Sequence, residues 1–166
     1  MNTHTIWIHR LFIRELHSLV AELELFPGDE LVWATAPGIT NSVGNLTLHL
    51  CGNLQHFVGA VLGSTGYVRN REREFNTRGL PRAALIAEVR TTIAVVTDVL
   101  ANRPDDSLFS DYPDVLGGLR VPCGLWLQHL NTHLAFHLGQ VGYLRRILTG
   151  DATSTEAVPI KSLVAD

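Results

Sequence analysis

Residues 122–150 read PCGLWLQHLNTHLAFHLGQVGYLRRILTG, and this stretch decides the fold. Its apolar residues recur every three or four positions, which is the spacing of one face of an α-helix. Proline is favoured in the first turn of a helix and glycine just after its end. The pattern therefore predicts one long helix from near Pro122 to Gly150, with an apolar face made by Trp126, Leu130, Leu134, Val141, Leu144 and Ile147.

Three further helices are predicted upstream by the same spacing of apolar residues. A polar side chain at Thr40, Asn41 or Ser42 can cap the second of them. The predicted ranges are about 5–25, from the cap to about 63, and 81 to about 101.

The chain between residues 103 and 122 is rich in turn-forming residues, which predicts a long crossover loop between helices 3 and 4. Four long helices joined in this way indicate an all-α protein, a four-helix bundle. Residues 1–150 are expected to form a single bundle domain, and residues 151–166 a loosely held C-terminal tail.

Three glycines interrupt the predicted second helix, at positions 44, 52 and 59. Each costs about 1 kcal/mol relative to alanine, so each needs a reason. Close packing against another element is the favoured interpretation, and the approach of a ligand is the alternative.

Composition limits the classes of function. The chain has 166 residues, 46% of them hydrophobic, which fits one domain with a substantial core. A formal net charge of −3 gives no basic footprint for nucleic acid. The two cysteines form no disulfide framework, and we find no signal peptide and no run of 18 apolar residues. A soluble cytoplasmic protein, with no membrane and no nucleic acid as partner, is the expectation.

Three histidines are the candidate metal ligands. His133 and His137 are four residues apart, so a helix places both imidazoles on one face, within reach of a single divalent ion. His49 lies on the apolar side of the second helix and would complete a three-ligand site with an open coordination position. The alternative from spacing alone is that these are buried, hydrogen-bonded core histidines.

Two other histidines, His129 and His56, lie one and two turns from these positions and are expected to form the pocket wall or support the ligands. A metal-bound imidazole usually donates its other N–H to a nearby acceptor. The candidate carriers of such acceptors are Asn45, Asn53, Gln128 and Gln140.

Residues 129–141, HLNTHLAFHLGQV, resemble the fourth-helix signature of the DinB/YfiT-like superfamily, which ends in His-x-Gly-Gln and a β-branched residue. His49 stands where that family has its first ligand, and residues 41–53 and 69–75 resemble one branch of it. The resemblance implies an up-down-down-up bundle, a divalent-metal site made by His49, His133 and His137, and often a homodimer. Some members are S-transferases or isomerases that use low-molecular-weight thiols.

The resulting hypothesis is a metal-dependent enzyme, a thiol S-transferase that acts on a small electrophile. Imidazole ligands suit zinc, nickel, copper and iron, and the expected ion is zinc, with nickel next. Arg69 and Arg71 are candidate cofactor-binding residues, because guanidinium groups pair with the carboxylates of a thiol cofactor; a solvated surface is the alternative for them. Cys51 is expected to be a buried, inert thiol.

Two other classes of function stay open at this stage. A metal-dependent hydrolase would need a nearby base, for which Glu72, Glu74, Asp111 and Asp114 are candidates that no spacing separates. A non-catalytic bundle that holds a metal or a small molecule is the third class.

Overall fold

The structure is a computed structural model, and it describes residues 3–155 and 160–164. Its helices are α1 (Thr3–Glu24), α2 (Asp29–Val32), α3 (Val43–Leu54), α4 (Val61–Gly63), α5 (Arg71–Asn76), α6 (Arg82–Ala101), α7 (Cys123–Thr149) and α8 (Lys161–Val164), with a π-helical segment at Gln55–Ala60 and a 3-10 turn at Asp105–Leu108.

Four long helical units form the bundle: α1, α3 with its π-helical continuation into α4, α6, and α7. Both α1 and α3 pack against α6 and α7, so α1 and α3 lie diagonally across the core. Fully buried side chains from all four units fill the centre, among them Phe12, Leu16, Leu50, Leu54, Leu85, Leu100, Leu127 and Leu134. None of the helices in the described parts of the chain is long and apolar enough to cross a membrane.

Helix α1 runs antiparallel to α6 and parallel to α7. Arg82, at the start of α6, donates a hydrogen bond of 3.3 Å to the carbonyl oxygen of Glu24, at the end of α1. Arg145, near the end of α7, donates from Nε to Glu22 Oε2 at 2.5 Å, also near the end of α1. The ends of α1 and α7 therefore lie together.

Helix α3 and its continuation run parallel to α6. Gln55 donates to Glu88 Oε1 at 2.7 Å in the first half of α6, and Gly63 faces Val99 near the end of that helix. Since α6 is antiparallel to α1, α3 is antiparallel to both α1 and α7. The helix directions therefore have the up-down-down-up order that the resemblance implies.

The parallel pair α3 and α6 determines the path of the connector at residues 64–81. The connector leaves one end of the bundle and must return along its length before α6 begins, and α5 forms within it. This return path carries Arg69 and Glu74 past the side of α3.

The predicted helix ends agree with the structure. Ser42 caps α3 by accepting a hydrogen bond from the N–H of Asn45, α7 begins directly after Pro122, and Gly150 ends α7 with a φ of +68°. The long loop predicted between the third and fourth predicted helices occupies residues 102–122. The short helices α2, α5 and α8 and the π-helical segment were not predicted.

The described part of the tail makes specific contacts with the bundle. Arg145 donates to the carbonyl oxygens of Asp151 and Thr153, and Thr155 donates to Glu22 at 2.9 Å. Helix α8 packs on α1, where Arg10 donates to the carbonyl oxygen of Leu163 at 2.8 Å.

Candidate metal centre

The three candidate ligands meet across the seam between α3 and α7. His133 and His137 lie one turn apart on α7, and His49 faces both of them from α3, with ring centroids 5.1 and 5.4 Å away. Nε2 of His49 lies 3.3 Å from Nε2 of His133. One ring nitrogen from each histidine lies within 4.8 Å of the other two. Helical spacing and antiparallel packing therefore bring three nitrogen donors to one point.

Hydrogen bonds hold two of the three rings by their outer nitrogens. Nδ1 of His49 lies 2.9 Å from Glu74 Oε2, and Nδ1 of His137 lies 2.7 Å from Gln140 Oε1. An ionised carboxylate can only accept, so the proton of a neutral His49 ring belongs on Nδ1. Its Nε2 then offers a lone pair toward the centre of the cluster.

The surroundings favour neutral imidazoles on α7. Burial, reinforced by His137 and His49, lowers the pKa of His133 to about 4. Burial is also the main cause that lowers the pKa of His137, against the opposing effect of its hydrogen bond to Gln140 Oε1. A metal ligand must be unprotonated, so these rings are in the state that coordination requires at neutral pH.

Glu74 reaches His49 from α5 and is itself held by Arg69. The guanidinium donates from Nε to Oε1 at 2.7 Å and from Nη2 to Oε2 at 2.9 Å, a bidentate ion pair. Burial raises the pKa of Glu74, but hydrogen bonds to His49 and Arg69 outweigh it and hold that pKa below its usual value. A carboxylate, an imidazole and a guanidinium thus form one connected group.

A local cap begins helix α5, and one buried amide on α3 fastens α5 to that helix. Asn70 caps α5 by accepting from the N–H of Arg73, and Nδ2 of Asn45 donates to the carbonyl oxygens of Glu74 and Thr77 at 2.9 and 3.2 Å. Asn45 was expected as a partner of a histidine, but it holds the backbone that carries Glu74.

Gly52 explains how the Glu74 carboxylate comes so close to α3. A Cβ atom at this position would overlap the Glu74 carboxylate, whereas at Gly44 it would overlap the indole ring of Trp33. Close packing, the favoured interpretation, therefore describes Gly44. Gly52 instead makes room for a side chain that supports a candidate ligand.

Aromatic side chains border the cluster. The Phe75 ring lies 5.0 Å from that of His49, and about two helical turns away along the same seam Phe57 packs 5.2 Å from Trp126. His129 is exposed and stacks on Trp126 at 4.8 Å. A cavity of about 630 Å³ lies elsewhere, between α1 and α7, and none of the three histidines lines it.

The other predicted residues lie at different distances from the cluster. Arg69 is committed to Glu74, whereas Arg71 is exposed and lies over the ring of Phe75 at 5.5 Å. His56 contacts the ring of Phe57. Among the described residues, it makes no ring contact with any of the three candidate ligands. Cys51 is buried, and burial raises its pKa to about 12, which agrees with an inert thiol.

Sequence reasoning named Glu74 only as one of four possible bases and missed its contact with His49. The contact joins residues 25 positions apart and depends on the return path of the connector. One indication of this contact was present in the sequence: Gly52, a residue that is unfavourable inside a helix, lies three positions after His49.

The donor set fits a divalent ion. Three imidazole nitrogens suit zinc, nickel, copper or iron, and outer hydrogen bonds of the kind seen at His49 and His137 are usual for metal-binding histidines. A site with three protein ligands leaves a coordination position for another molecule.

A model of the protein family described as the DinB superfamily matches residues 11–141. This range contains the three histidines together with Arg69, Glu74 and Gln140. No curated protein and no solved structure matches the chain.

Proposed function

Since this chain belongs to the DinB superfamily, we propose that it is a divalent-metal-dependent enzyme, namely a thiol-dependent S-transferase that acts on a small electrophile. The observation that carries the proposal is the convergence of His49, His133 and His137 on one point, with ring nitrogens within 4.8 Å of one another. Family membership and this cluster fit a metal-binding enzyme.

The three histidines would hold the ion, and the residues behind them would fix their orientation. A divalent ion bound there would supply Lewis-acid chemistry and favour the deprotonated form of a thiol. Glu74 orients His49, Gln140 orients His137, and Arg69 keeps Glu74 ionised and in place.

The position of Glu74 favours thiol transfer over hydrolysis. Hydrolysis calls for a base that removes a proton from water, and Glu74 is the carboxylate that contacts the cluster. Both of its oxygens are already engaged by Arg69 and His49. A coordinated thiol is deprotonated without such a base, so the engagement of Glu74 does not impede transfer.

We assign the two substrates to opposite sides of the cluster. A cavity of about 310 Å³ continues the α3/α7 seam beyond Gln140, and its lining contains no charged side chain. This cavity suits the body of an uncharged electrophile. Arg71, exposed beside Phe75, would pair with a carboxylate of the thiol, whereas Arg69 would act by holding Glu74.

Zinc is the proposed ion, with nickel second, and a homodimer is the proposed assembly. Exposed large apolar side chains follow one side of α7 at Leu125, Phe136, Tyr143 and Ile147, and such a stripe is typical of an interaction surface. Light scattering of the purified protein would establish the assembly.

Elemental analysis of protein purified without a histidine tag tests the metal centre. The wild type should carry about one equivalent of a divalent ion, and the combined His49→Ala, His133→Ala and His137→Ala variant should carry none. Equal metal content in the two proteins would disprove the site.

A turnover assay with the metal-loaded protein tests the reaction. Glutathione, mycothiol or bacillithiol is supplied with an epoxide or haloalkyl acceptor, and loss of the acceptor is followed. Thiol-dependent turnover that disappears in His49→Ala would support transfer. Consumption of the acceptor without thiol would favour the hydrolase.

A further inference from the structure

We propose that Asn53 is a positioning residue of the metal centre, whose side-chain oxygen accepts the Nδ1–H of His133 when an ion is bound. The inference rests on the metal site proposed above, because it concerns the orientation of one of its three ligands. It adds a residue that takes no part in the contacts described so far.

Both atoms of the proposed hydrogen bond lack a partner in the structure. Nδ1 of His133 and Oδ1 of Asn53 are buried side-chain atoms without a hydrogen bond to any described residue. Asn53 is only 8% exposed, so water does not readily satisfy its amide. A buried polar group without a partner costs about 1–3 kcal/mol, which makes an unpaired donor and an unpaired acceptor in one region unusual.

The register of α3 against α7 places Asn53 beside His133. His49 lies against His133, with ring centroids 5.1 Å apart, and Phe57 lies against Trp126 at 5.2 Å. Asn53 is one turn after His49 and one turn before Phe57, so it faces the same seam midway between these two contacts. Side chains on a helix lean toward its N-terminus, which tilts His133 toward the level of Asn53.

Chemistry selects Asn53 among the unpaired groups. The other buried side-chain atoms without a partner in the described residues are nitrogens that donate: Nε of Arg103, Nε1 of Trp126 and Nδ2 of Asn131. An ion on Nε2 of His133 leaves the ring proton on Nδ1, which requires an acceptor. Asn53 Oδ1 is the acceptor that remains.

The assignment completes a pattern in which every ligand has one outer partner. His49 has the Glu74 carboxylate and His137 has the Gln140 amide oxygen, each through Nδ1. His133 alone lacks one. Ion binding at Nε2 would select the side-chain rotamers in which His133 and Asn53 pair.

The test measures Zn²⁺ affinity in three variants by competition with a chromophoric chelator. Asn53→Leu keeps the shape and removes the acceptor, so affinity should fall about 10- to 100-fold. Asn53→Asp keeps an acceptor and should stay within a few-fold of the wild type. Asn131→Leu is the matched control, because Asn131 lines the cavity between α1 and α7, and its affinity should not change.

Stability without metal separates positioning from a structural role. Leu at position 53 removes a buried acceptor that has no partner, so metal-free Asn53→Leu should unfold at the same urea concentration as the wild type or a higher one. A residue needed only for packing would instead lower that midpoint. Unchanged Zn²⁺ affinity in Asn53→Leu, or a midpoint that falls together with affinity, would overturn the proposal.

Nuclear magnetic resonance gives a direct readout of the His133 ring proton, first in the wild type and then in Asn53→Asp. In zinc-loaded protein, Nδ1–H of His133 should be protected from exchange, and it should shift in Asn53→Asp. Rapid exchange of this proton would count against Asn53. A wild type that binds neither Zn²⁺ nor Ni²⁺ would disprove the metal centre itself, a result distinct from equal affinities in wild type and Asn53→Leu.

Discussion

Two arginine–glutamate pairs show how the same chemistry has different roles in this molecule. Arg69 and Glu74 meet beside the three histidines, and Arg145 and Glu22 meet between α7 and α1. Each carboxylate also lies against a helix glycine, Gly52 for Glu74 and Gly142 for Glu22.

The two pairs differ in their third partner. Glu74 also forms a hydrogen bond with His49. Glu22 instead accepts from Thr155, and Arg145 donates to carbonyl oxygens of the tail. Arg145 is fully buried, while Arg69 is 15% exposed. The Arg145–Glu22 pair, whose further hydrogen bonds go to the tail, is therefore structural. The Arg69–Glu74 pair, which also contacts a candidate metal ligand, supports the site.

Replacing Arg145 should have the largest effect, and it should change stability without changing Zn²⁺ affinity. Arg145→Leu leaves the Glu22 carboxylate buried without its cation, so the free energy of unfolding should fall by about 3–5 kcal/mol. The melting temperature should drop by roughly 6–20 °C, and Zn²⁺ affinity per folded molecule should not change. A loss of affinity as large as the loss of stability would show that the two regions are coupled.

Glu74→Gln tests the Arg69–Glu74 pair and should affect Zn²⁺ affinity more than stability. The amide still accepts one hydrogen bond but has no charge, so His49 is held less firmly and Zn²⁺ affinity should fall at least about tenfold. The urea midpoint of the metal-free protein should change less than in Arg145→Leu, since Arg69 is partly solvated. A large stability loss with normal affinity would make Glu74 structural.

Alanine at the two glycines sharpens the contrast without removing a charge. In Gly52→Ala the new methyl group must displace the Glu74 carboxylate, whereas in Gly142→Ala it would lie 3.2 Å from Glu22 Oε1. Alanine also favours a helix by about 1 kcal/mol, which offsets part of either clash. Gly52→Ala should lower Zn²⁺ affinity several-fold by calorimetric titration, and Gly142→Ala should leave it unchanged.

Asp105 is a third carboxylate for comparison, and unlike Glu74 and Glu22 it has no arginine partner among the described residues. Its substitution should have the smallest effect on stability. Backbone N–H groups of Thr5 and His4 hold the pKa of Asp105 well below its usual range. Because the pKa is lower in the folded state, the carboxylate stabilises the protein above the unfolded pKa of about 4, and this is lost as pH falls through the folded value.

The corresponding variant is Asp105→Asn, followed by thermal unfolding between pH 7 and pH 2. It should melt below the wild type at pH 7, and the two melting temperatures should converge as the solution is acidified. A difference that stays constant with pH would mean that the charge of Asp105 has no role.

The contacts that could be predicted from the sequence are those set by helix period and helix ends. His133 and His137 share a face because they are four residues apart, and Pro122 and Gly150 mark the ends of α7 by their own backbone preferences. His49 required the family resemblance as well, since spacing alone left a buried core histidine as the alternative.

The remaining features depend on long-range packing. Glu74 reaches His49 only because α3 and α6 are parallel, and Arg145 meets Glu22 across 123 positions. The π-helical segment at Gln55–Ala60 contains no proline to mark it in the sequence, and its Phe57 carbonyl oxygen accepts from Tyr112 in the distant 102–122 loop at 2.6 Å. No local pattern encodes such pairings.

The cluster also joins two helices whose histidines are 84 positions apart in the chain. An ion held by both helices would be a reversible cross-link, and closing a loop restricts the unfolded chain in the way a disulfide does. Metal supply would then control the lifetime of the folded chain as well as its chemistry, so metal-depleted protein should be the form that proteases remove first.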